Sequence, residues 1–434
     1  MTRMFTLAFA FLAVAAAAAQ AGEFPAASPE RMEARIKALA KFGANADGGV
    51  DRVAYSPADI AGRTYIKGLM QELGLEVRID SGGNIIGRRQ GREPDLRSIM
   101  FGSHIDSVPG GGNYDGDVGV VSALEVIDLL NAAGHVTRHP LEVVVFSNEE
   151  GGLVGSLVMI GALKPAALDV VSHSGLTIRD GIDILGGDSE RLAAAVVKPG
   201  ALKAFIELHI EQGAILDEAE IEIGVVEGIV GIRWWDVTID GFANHAGTTP
   251  MNRRRDALVA AARLTLAINQ VALEMPGRQV ATVGRIRAEP GAPNVIPGRV
   301  VMSLEVRDLE LAKMEQVFAE IEMRAAKIAD QTGTSIRFDL IDVDSHPEPT
   351  DPRLRRIIAR AAQMYGYSYR LMPSGAGHDA QDLATITPTG MIFVPSRGGI
   401  SHSPREFTSP RHMANGADVL LGTVLAIDQG ALDN

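Results

Sequence analysis

Cysteine is absent from this chain of 434 residues, which excludes disulfides, thiolate metal ligands and a cysteine nucleophile. Any metal ion must therefore be held by histidine and carboxylate side chains. An excess of positive charge is absent too, because 41 Lys and Arg stand against 54 Asp and Glu, and no run of basic residues reverses this balance locally. A net charge of −13 argues against a nucleic-acid partner, which would need a basic face.

Beyond the N-terminus the chain lacks any apolar run long enough to span a membrane. At the N-terminus the apolar stretch 4–19 follows Arg3 and leads into the small residues Ala19 and Ala21. This pattern is typical of a cleaved secretory signal, since a membrane span needs about 20 apolar residues; an uncleaved anchor is the alternative. We expect residues 1–21 to be a signal peptide, and the mature protein to be periplasmic or secreted, without membrane contact after cleavage.

The remaining composition is that of an ordinary globular protein, with 46% hydrophobic and 22% charged residues. Its length suggests two or three domains. Short apolar runs at 99–101, 141–146, 205–208 and 391–394 alternate with helical patterns. Strands alternating with helices predict an α/β fold in which a mostly parallel central sheet is covered on both faces.

A segment with a different rhythm interrupts this pattern. Between residues 231 and 346 the predicted order is β-α-β-β-α-β, which is that of a ferredoxin-like unit. We therefore expect an inserted domain at 231–346, and a domain built on the central sheet, formed by 22–230 and 347–434.

Each of the four predicted parallel strands is followed within a few residues by histidine or glutamate. These residues are His104, the pair Glu149-Glu150, His209 and His402. In open α/β sheets the crevice at the carboxyl ends of the strands is where ligands bind. The pattern places four candidate metal-binding segments along one edge of the sheet.

Each of these segments, taken alone, allows a simpler interpretation. His104 with Asp106 could form a metal ligand and the carboxylate that orients it, with Asp115 able to bridge two ions, or it could be a polar turn. Glu149 and Glu150 could supply a metal ligand and a general base, or they could point outward from a solvated loop. A lone histidine is more often structural than a ligand.

The segments together resemble the aminoacylase and carboxypeptidase family with a dinuclear metal site, and within it the branch of N-carbamoyl-L-amino-acid hydrolases and allantoate amidohydrolases. The resemblance runs from about Ala34 to Leu425. It is carried by Gly102-Ser103-His104-Ile105-Asp106-Ser107-Val108, Asn148-Glu149-Glu150-Gly151, Glu207-Leu208-His209-Ile210-Glu211-Gln212-Gly213, Asn244-His245-Ala246-Gly247-Thr248-Thr249-Pro250-Met251, Asn294-Val295-Ile296-Pro297-Gly298, Ser374-Gly375-Ala376-Gly377-His378-Asp379-Ala380 and Ser401-His402.

This resemblance implies two divalent ions per subunit, zinc first, with manganese, cobalt or nickel as alternatives. The ligands it implies are His104, Asp115 and His209 for one ion and Asp115, Glu150 and His402 for the other. Asp106 would orient His104. Glu149 would accept a proton from the attacking water and pass it to the leaving nitrogen.

The inserted domain resembles the family's lid and dimerisation domain, which implies a homodimer. His245 would reach the partner's site and stabilise the oxyanion. Asn294 and Arg307 would grip the substrate carboxylate, although without the resemblance Arg307 reads as a strand-end salt bridge. Gln212 and Gly375 would line the ureido and carboxylate pocket, with His378 as a further substrate-binding residue.

One departure concerns the substrate. Many members of the branch follow the paired glutamates with Gly-Ser-Arg-Phe, whereas here Gly151-Gly152-Leu153-Val154 follow. This change leaves the metal ligands in place but alters the neighbouring pocket wall.

The resulting hypothesis is a metal-dependent amidohydrolase that cleaves the linear C–N bond of N-carbamoyl (ureido) L-amino acids to the amino acid, CO2 and ammonia. Allantoate hydrolysis and a dipeptidase or aminoacylase activity of the same metal site are the alternatives. A binding protein without catalysis is a further one, but it would be expected to have lost a ligand or the base.

Overall fold

The computed structural model describes residues 24–341 and 345–433 of the chain, so the predicted signal peptide lies outside the described residues. The chain forms two compact units. Gly228–Pro349 make up the second unit, and the described residues on either side of it make up the first. The domain boundaries expected from the sequence were 231 and 346.

The first unit contains nine α-helices and eight strands among its described residues. Its helices are α1 (Pro29–Leu39), α2 (Pro57–Glu72), α3 (Asp117–Ala132), α4 (Val154–Ile160), α5 (Ile178–Ile184), α6 (Ile215–Glu218), α9 (Pro352–Met364), α10 (Asp379–Leu383) and α11 (Pro410–Asp428). Its strands are β1 (Glu76–Ile79), β2 (Ile85–Arg89), β3 (Ile99–His104), β4 (Leu141–Phe146), β5 (Ala204–Ile210), β6 (Ile223–Ile229), β15 (Tyr369–Ser374) and β16 (Thr389–Val394). The last two residues of β6, and the short strand β14 (Glu348–Pro349), belong to the second unit.

Local sequence determines where the first helices begin. Ser28 and Ser56 each accept a hydrogen bond from a backbone N–H of the first turn, and a proline follows each of them. A capping hydroxyl satisfies an amide that has no partner within the helix, and proline fits the first turn because it lacks the N–H. Both helices therefore begin where a serine precedes a proline.

The sheet of the first unit has the order β1-β2-β4-β3-β5-β16-β6-β14, and β15 pairs with β6. The four central strands β4, β3, β5 and β16 are parallel, whereas the outer pairs described are antiparallel. The central strands are buried along their whole length, which explains their continuous apolar sequences. The predicted α/β fold with a mostly parallel central sheet is confirmed, with antiparallel strands added at its edges.

The second unit is a five-stranded antiparallel sheet packed against two helices. Its elements are β7 (Gly231–Asp240), β8 (Asn244–His245), α7 (Ala257–Glu274), β9 (Val280–Thr282), β10 (Ile286–Glu289), β11 (Val295–Ile296), β12 (Arg299–Asp308), α8 (Leu311–Thr332) and β13 (Ser335–Ile341). The strand order β10-β12-β7-β13, with β9 also paired to β12, is the ferredoxin-like order that the sequence predicts.

Two details of this unit differ from the prediction. The second strand of the predicted β-α-β-β-α-β order is divided into β9 and β10, because the chain between them leaves the ladder with β12. A separate pair of short strands, β8 and β11, carries the segment around His245. Neither feature has an apolar alternation long enough to be recognised in the sequence.

Helix α7 is the one helix in the described part of the chain that is long and apolar enough to cross a membrane by composition alone. Its inner residues, among them Ala260, Leu264 and Ile268, belong to the hydrophobic core of the second unit. Leu266 and Leu273 on its outer face are exposed. The helix therefore packs as one layer of a folded unit with an apolar outer surface.

Candidate metal centre

The carboxyl ends of the four parallel strands bring together the side chains predicted to bind metal. The residues are His104 at the end of β3, Asp115 just before α3, Glu149 and Glu150 after β4, His209 near the end of β5 and His402 after β16. All of them are buried except Glu150, which is partly buried, and His402, which is half-exposed. The sheet thus collects three imidazoles and three carboxylates from segments that are far apart in the sequence.

Asp115 lies at the centre of this cluster. Its Oδ1 is 3.1 Å from His209 Nε2 and 3.7 Å from His104 Nε2, and its Oδ2 is 3.2 Å from His402 Nε2. His402 Nε2 is in turn 3.5 Å from Glu150 Oε1. Two groups of three ligand atoms, each within 4.8 Å of one another, therefore share this one carboxylate: His104, Asp115 and His209, and Asp115, Glu150 and His402.

Backbone carbonyls orient two of the imidazoles toward the cluster. The Nδ1 of His104 lies 3.0 Å from the carbonyl oxygen of Asp106, and the Nδ1 of His209 lies 2.9 Å from that of Ile210. A carbonyl only accepts, so each Nδ1 carries a proton, and in the neutral imidazole each Nε2 is left with a free lone pair. This is the tautomer that a metal ligand needs.

A glycine allows the imidazole of His104 to lie against the start of α3. Gly116 has a φ of 66°, and a Cβ at this position would be 2.5 Å from the His104 ring. Both the backbone conformation and the contact exclude a larger residue. The glycine that follows Asp115 therefore belongs to the site.

The carboxylate of Asp106, which was predicted to orient His104, instead accepts hydrogen bonds from the loop after β4. Its carboxylate oxygens accept the backbone N–H groups of Glu149 at 3.2 Å and Glu150 at 3.1 Å, whereas its Oδ1 is 3.8 Å from His104 Nδ1. The carboxylate therefore holds the loop of the paired glutamates, and the carbonyl of the same residue orients His104. Sequence alone could not separate these two functions, because both belong to one residue.

The imidazoles of the metal-free site differ in their affinity for protons. Burial lowers the pKa of His104 to about 4. Burial also opposes charge on His209, but the hydrogen bond and charge of Asp115 outweigh it and raise the pKa of His209 to about 9. The same carboxylate raises the pKa of His402 to about 9 against the effect of burial.

Burial and nearby negative charges raise the pKa values of the paired glutamates. Glu150 reaches a pKa of about 8, first through burial and then through the charge of Asp115. The pKa of Glu149 lies well above its ordinary value because of burial, and the nearby charge of Glu150 adds to the shift. A neighbouring cation would reverse both effects, since it favours the ionised carboxylates.

The donor set suits divalent cations. His104 Nε2 and Glu150 Oε1 are buried atoms that face the cluster and have no hydrogen-bond partner among the described residues. Imidazole nitrogens and carboxylate oxygens are the ligands that zinc, manganese and cobalt accept. The residues present therefore fit two cations that share Asp115.

His378 occupies a different place from the one expected of a substrate-binding residue. Its ring is buried against the ring of His209, with centroids 4.4 Å apart, and its Nε2 lies 2.8 Å from the Oγ of Ser374. It forms a third group with Glu207 and His209. Gly375, in contrast, is exposed, and a Cβ there would meet no atom within 4 Å.

Gln212 lies beside the cluster, as expected. Its backbone has a φ of 57°, and its Nε2 donates to Asp115 Oδ2 at 2.7 Å. Because a carboxylate accepts only, this bond fixes which end of the amide is the nitrogen. The opposite atom, Oε1, is a buried acceptor without a hydrogen-bond partner in the described part of the chain.

In the second unit, His245 and Asn294 are brought together by the β8 and β11 strand pair. His245 pairs with Val295, and the N–H of Ala246 donates to the carbonyl of Asn294. The imidazole of His245 is exposed, and its Nδ1 accepts the N–H groups of Gly247 at 3.0 Å and Thr248 at 3.2 Å. With Nδ1 as the acceptor, Nε2 carries the proton and can donate to a ligand.

Arg307 forms the salt bridge that was its alternative interpretation. Its Nε is 2.9 Å from Glu305 Oε1, and one terminal nitrogen is 3.1 Å from Glu305 Oε2. Both residues lie in β12. A substrate carboxylate would compete with Glu305 for this guanidinium.

Sequence reasoning missed two buried glutamates near the site. Glu207 accepts the hydroxyl of Ser103 at 2.7 Å and the N–H of Ala380 at 2.9 Å, which joins β3, β5 and α10. Glu406 accepts hydrogen bonds from the loops that carry Asp115 and His402. Glu207 stands within a motif given above and Glu406 four residues beyond His402, but only the folded chain shows which groups they contact.

Residues 100–426 match the model of the peptidase family M20/M25/M40. The chain belongs to this family of hydrolases, and the predicted family is confirmed.

Among curated relatives, the chain is 40% identical over 406 residues to an N-carbamoyl-L-amino acid amidohydrolase of Geobacillus stearothermophilus, covering 92% of this chain and 99% of the relative. It is 36% identical over 397 residues to the allantoate amidohydrolase of Escherichia coli K12, covering 90% and 96%. A solved amidase of the hydantoinase/carbamoylase family from Burkholderia multivorans superimposes with a TM-score of 0.86 at 38% identity, covering 93% and 98%. These relatives agree with the amidohydrolase branch expected from the sequence.

Proposed function

We propose that this protein is a metal-dependent amidohydrolase that cleaves N-carbamoyl-L-amino acids to the free L-amino acid, CO2 and ammonia. Two observations support the proposal. The chain is 40% identical, nearly end to end, to an N-carbamoyl-L-amino acid amidohydrolase. Its strand ends also bring together the ligand groups that share Asp115.

The observation that carries the substrate class is the side chain of Gln212. Its Nε2 is held by Asp115, which leaves the buried Oε1 as an acceptor without a partner. A ureido group ends in an NH2 donor, whereas the acyl group of an acetylated amino acid or a peptide has no donor on the scissile carbonyl. An unpaired buried acceptor is costly, so a substrate that satisfies it is favoured over one that does not.

Two divalent cations would be held by the ligand groups described above: His104, Asp115 and His209 for one, and Asp115, Glu150 and His402 for the other. We propose zinc, with manganese, cobalt or nickel as alternatives. When bound, such a pair supplies an activated water and polarises the scissile carbonyl.

Glu149 is the proposed general base. It is buried beside the cluster, with its Oε2 3.7 Å from His104 Nε2, and belongs to neither ligand group. Its carboxylate would accept the proton of the attacking water and later donate it to the leaving nitrogen. The backbone N–H of Glu149 donates to the carboxylate of Asp106, which fixes the position of this residue beside the cluster. A general base needs such a fixed position within reach of the proton that it accepts.

His245, Asn294 and Arg307 are proposed to complete the site around the substrate. The Nε2–H of His245 would donate to the developing oxyanion, a role that the fixed tautomer favours. Asn294 and Arg307 would bind the substrate carboxylate, the latter through its two-pronged guanidinium. Gly375 would line the same pocket.

We propose that the protein acts as a homodimer, with His245 serving the site of the partner. The outer face of α7 supports this proposal, because Leu258, Leu266 and Leu273 follow helical spacing and are 40%, 66% and 77% exposed. An exposed apolar stripe of this kind is typical of a protein–protein interface.

We also propose that the chain is exported, and that residues 1–21 are removed as a signal peptide. The proposal rests on the sequence of that segment. N-terminal sequencing of protein recovered from the periplasm or medium tests it. A chain that retains Met1 and stays with the cell membrane would contradict cleavage.

Allantoate hydrolysis is the second candidate, favoured by the 36% identity to the allantoate amidohydrolase of Escherichia coli. Allantoate also ends in ureido groups, so the argument from Gln212 applies to it equally. The altered segment Gly151–Val154 follows the paired glutamates. We propose that it changes the wall of the substrate pocket and therefore which substrate side chain is accepted.

A substrate panel separates these functions. Metal-loaded protein is incubated with N-carbamoyl-L-amino acids, their D-enantiomers, allantoate, the matching N-acetyl-L-amino acids and dipeptides, and ammonia and amino acid are measured. We expect turnover of the carbamoyl L-amino acids. A higher kcat/KM for allantoate would establish the second candidate, and a higher kcat/KM for N-acetyl substrates or dipeptides would overturn the proposal.

A further inference from the structure

Glu406 is a buried glutamate in the loop after β16, four residues beyond His402. Glu406 is only 4% exposed, whereas residues 401–405 just before it are partly or fully exposed. The residue is in neither ligand group that shares Asp115. Its carboxylate nevertheless contacts both loops that carry ligands of the cation proposed at Asp115, Glu150 and His402.

The two oxygens of Glu406 divide these contacts between them. Oε1 accepts the backbone N–H groups of Tyr114 at 2.9 Å and Asp115 at 3.0 Å. Oε2 accepts the hydroxyl of Ser401 at 2.8 Å and the backbone N–H of His402 at 3.2 Å. One carboxylate therefore joins two loops that are about 290 residues apart in the sequence, at the residues that bear the ligands.

The surrounding residues are shaped to admit this carboxylate. A Cβ on Gly112 would lie 2.1 Å from Glu406 Oε1, so only glycine leaves the required space. The Oγ of Ser401 also lies 3.0 Å from Asp115 Oδ2, which places the hydroxyl between the two carboxylates. The contacts thus involve the backbone of both ligand loops and the side chain of Asp115.

His402 depends on such support more than the other imidazoles do. His104 and His209 lie on buried strands, and carbonyls orient their rings. His402 is half-exposed, lies in a loop and has a φ of 52°, which is unfavourable for a non-glycine residue. Its backbone N–H bond to Glu406 is a contact that holds this conformation.

We infer that Glu406 is a positioning residue that sets Asp115 and His402 at the spacing a second cation requires. The inference rests on the proposed function, because it concerns the metal centre of that function. Residues that orient metal ligands typically change metal affinity by about 10–100-fold when they are replaced. Glu406 acts through Asp115 and His402.

The direct test is metal binding by Glu406→Gln. An amide nitrogen cannot accept a hydrogen bond, so whichever way the glutamine is turned, donors from one of the two loops lose their acceptor. Metal-free protein is titrated with Co2+ or Zn2+ in equilibrium dialysis, and bound metal is measured by elemental analysis. We expect one ion to bind as in the unsubstituted protein and the second to bind about 10–100-fold more weakly.

The matched control is Asp428→Asn. Asp428 is also a buried carboxylate that accepts two backbone N–H groups, those of Arg138 and His139, and it contacts none of the proposed ligands. Its substitution is expected to cost stability but to leave both ions bound. Activity of Glu406→Gln should return as metal concentration rises, which a general loss of folded protein would not allow.

Gly112→Ala provides a second route to the same displacement if Glu406→Gln fails to fold, because its Cβ would push the carboxylate away. Two-ion binding of unchanged affinity in either folded variant would overturn the inference and leave the proposed function intact. Failure of the unsubstituted protein to bind metal would instead contradict the proposed function itself.

Discussion

Asp115 faces His209 with one carboxylate oxygen and His402 with the other, at 3.1 Å from Oδ1 and 3.2 Å from Oδ2. Its pKa stays well below the ordinary value despite burial, because the imidazoles of His209, His402 and His104 surround it. A carboxylate in this position can serve two cations at once. The rest of the site is arranged about this residue.

Asp115→Asn is therefore expected to remove both ions rather than one. An amide keeps the size of the side chain but loses the charge and one acceptor, and both ligand groups depend on them. Elemental analysis of the purified variant should find little metal, and activity should be lost. Retention of one full ion per subunit would show that Asp115 belongs to a single site. Asp428→Asn controls for the loss of a buried carboxylate.

Glu149→Gln and Glu150→Gln are expected to separate chemistry from metal binding. Glu149 stands outside both ligand groups, so its variant should keep its metals while kcat falls by at least about 10²–10⁴-fold, the usual value of a general base. Glu150→Gln should instead lose an ion. Metal content and kcat are measured on both proteins. If Glu149→Gln loses metal and Glu150→Gln retains it, Glu149 is the metal ligand and Glu150 the general base.

Metal uptake should release protons at neutral pH. In the metal-free site the pKa values of His209 and His402 are raised to about 9 and that of Glu150 to about 8, so all three are mainly protonated at pH 7. A cation requires their deprotonated forms, and its apparent affinity should therefore rise with pH between about 6 and about 9. His104, with a pKa of about 4, contributes nothing in this range.

Calorimetric metal titrations in buffers of different ionisation enthalpy measure this release directly. The number of protons released should fall as the pH approaches 9 to 10, where the imidazoles are already neutral. At low pH the same competition should reduce activity unless metal is added in excess. Metal binding without proton release between pH 6 and pH 8 would contradict the assignment of these ligands.

His245→Ala should lower kcat by about 10²–10³-fold while the metals are retained, which is the usual cost of one oxyanion donor. A mixture of the impaired His245→Ala and Glu149→Gln subunits tests whether His245 serves the partner. A mixed dimer then contains one site with both residues intact, and activity should return in part. A confirmed mixed dimer without activity would place His245 in its own subunit's site or outside catalysis.

Arg307→Ala should chiefly raise KM, because Arg307 is proposed to bind the substrate carboxylate.

The sequence predicted the central sheet because its strands are buried on both faces and read as continuous apolar runs. It also predicted which strand ends carry imidazoles and carboxylates. The order of the second unit followed from alternation of helical and strand patterns. In each case the information lies within one short segment.

Contacts between distant segments could not be predicted in the same way. The carbonyl of Asp106, rather than its carboxylate, orients His104, and no residue type encodes that choice. His378 lies buried behind His209 because of how α10 meets β5. Glu406 reaches Asp115 only in the folded chain, since their loops come together through the order of β16, β5 and β3 in the sheet.

Removal and return of metal tests the central claim most directly. Protein dialysed against a chelator, and then against chelator-free buffer, is assayed with an N-carbamoyl-L-amino acid before and after addition of zinc, manganese or cobalt. We expect no turnover without metal, and equal amounts of ammonia and L-amino acid once metal is restored. Undiminished hydrolysis by protein shown to contain no metal, or no hydrolysis of any carbamoyl L-amino acid by fully loaded protein, would contradict the account.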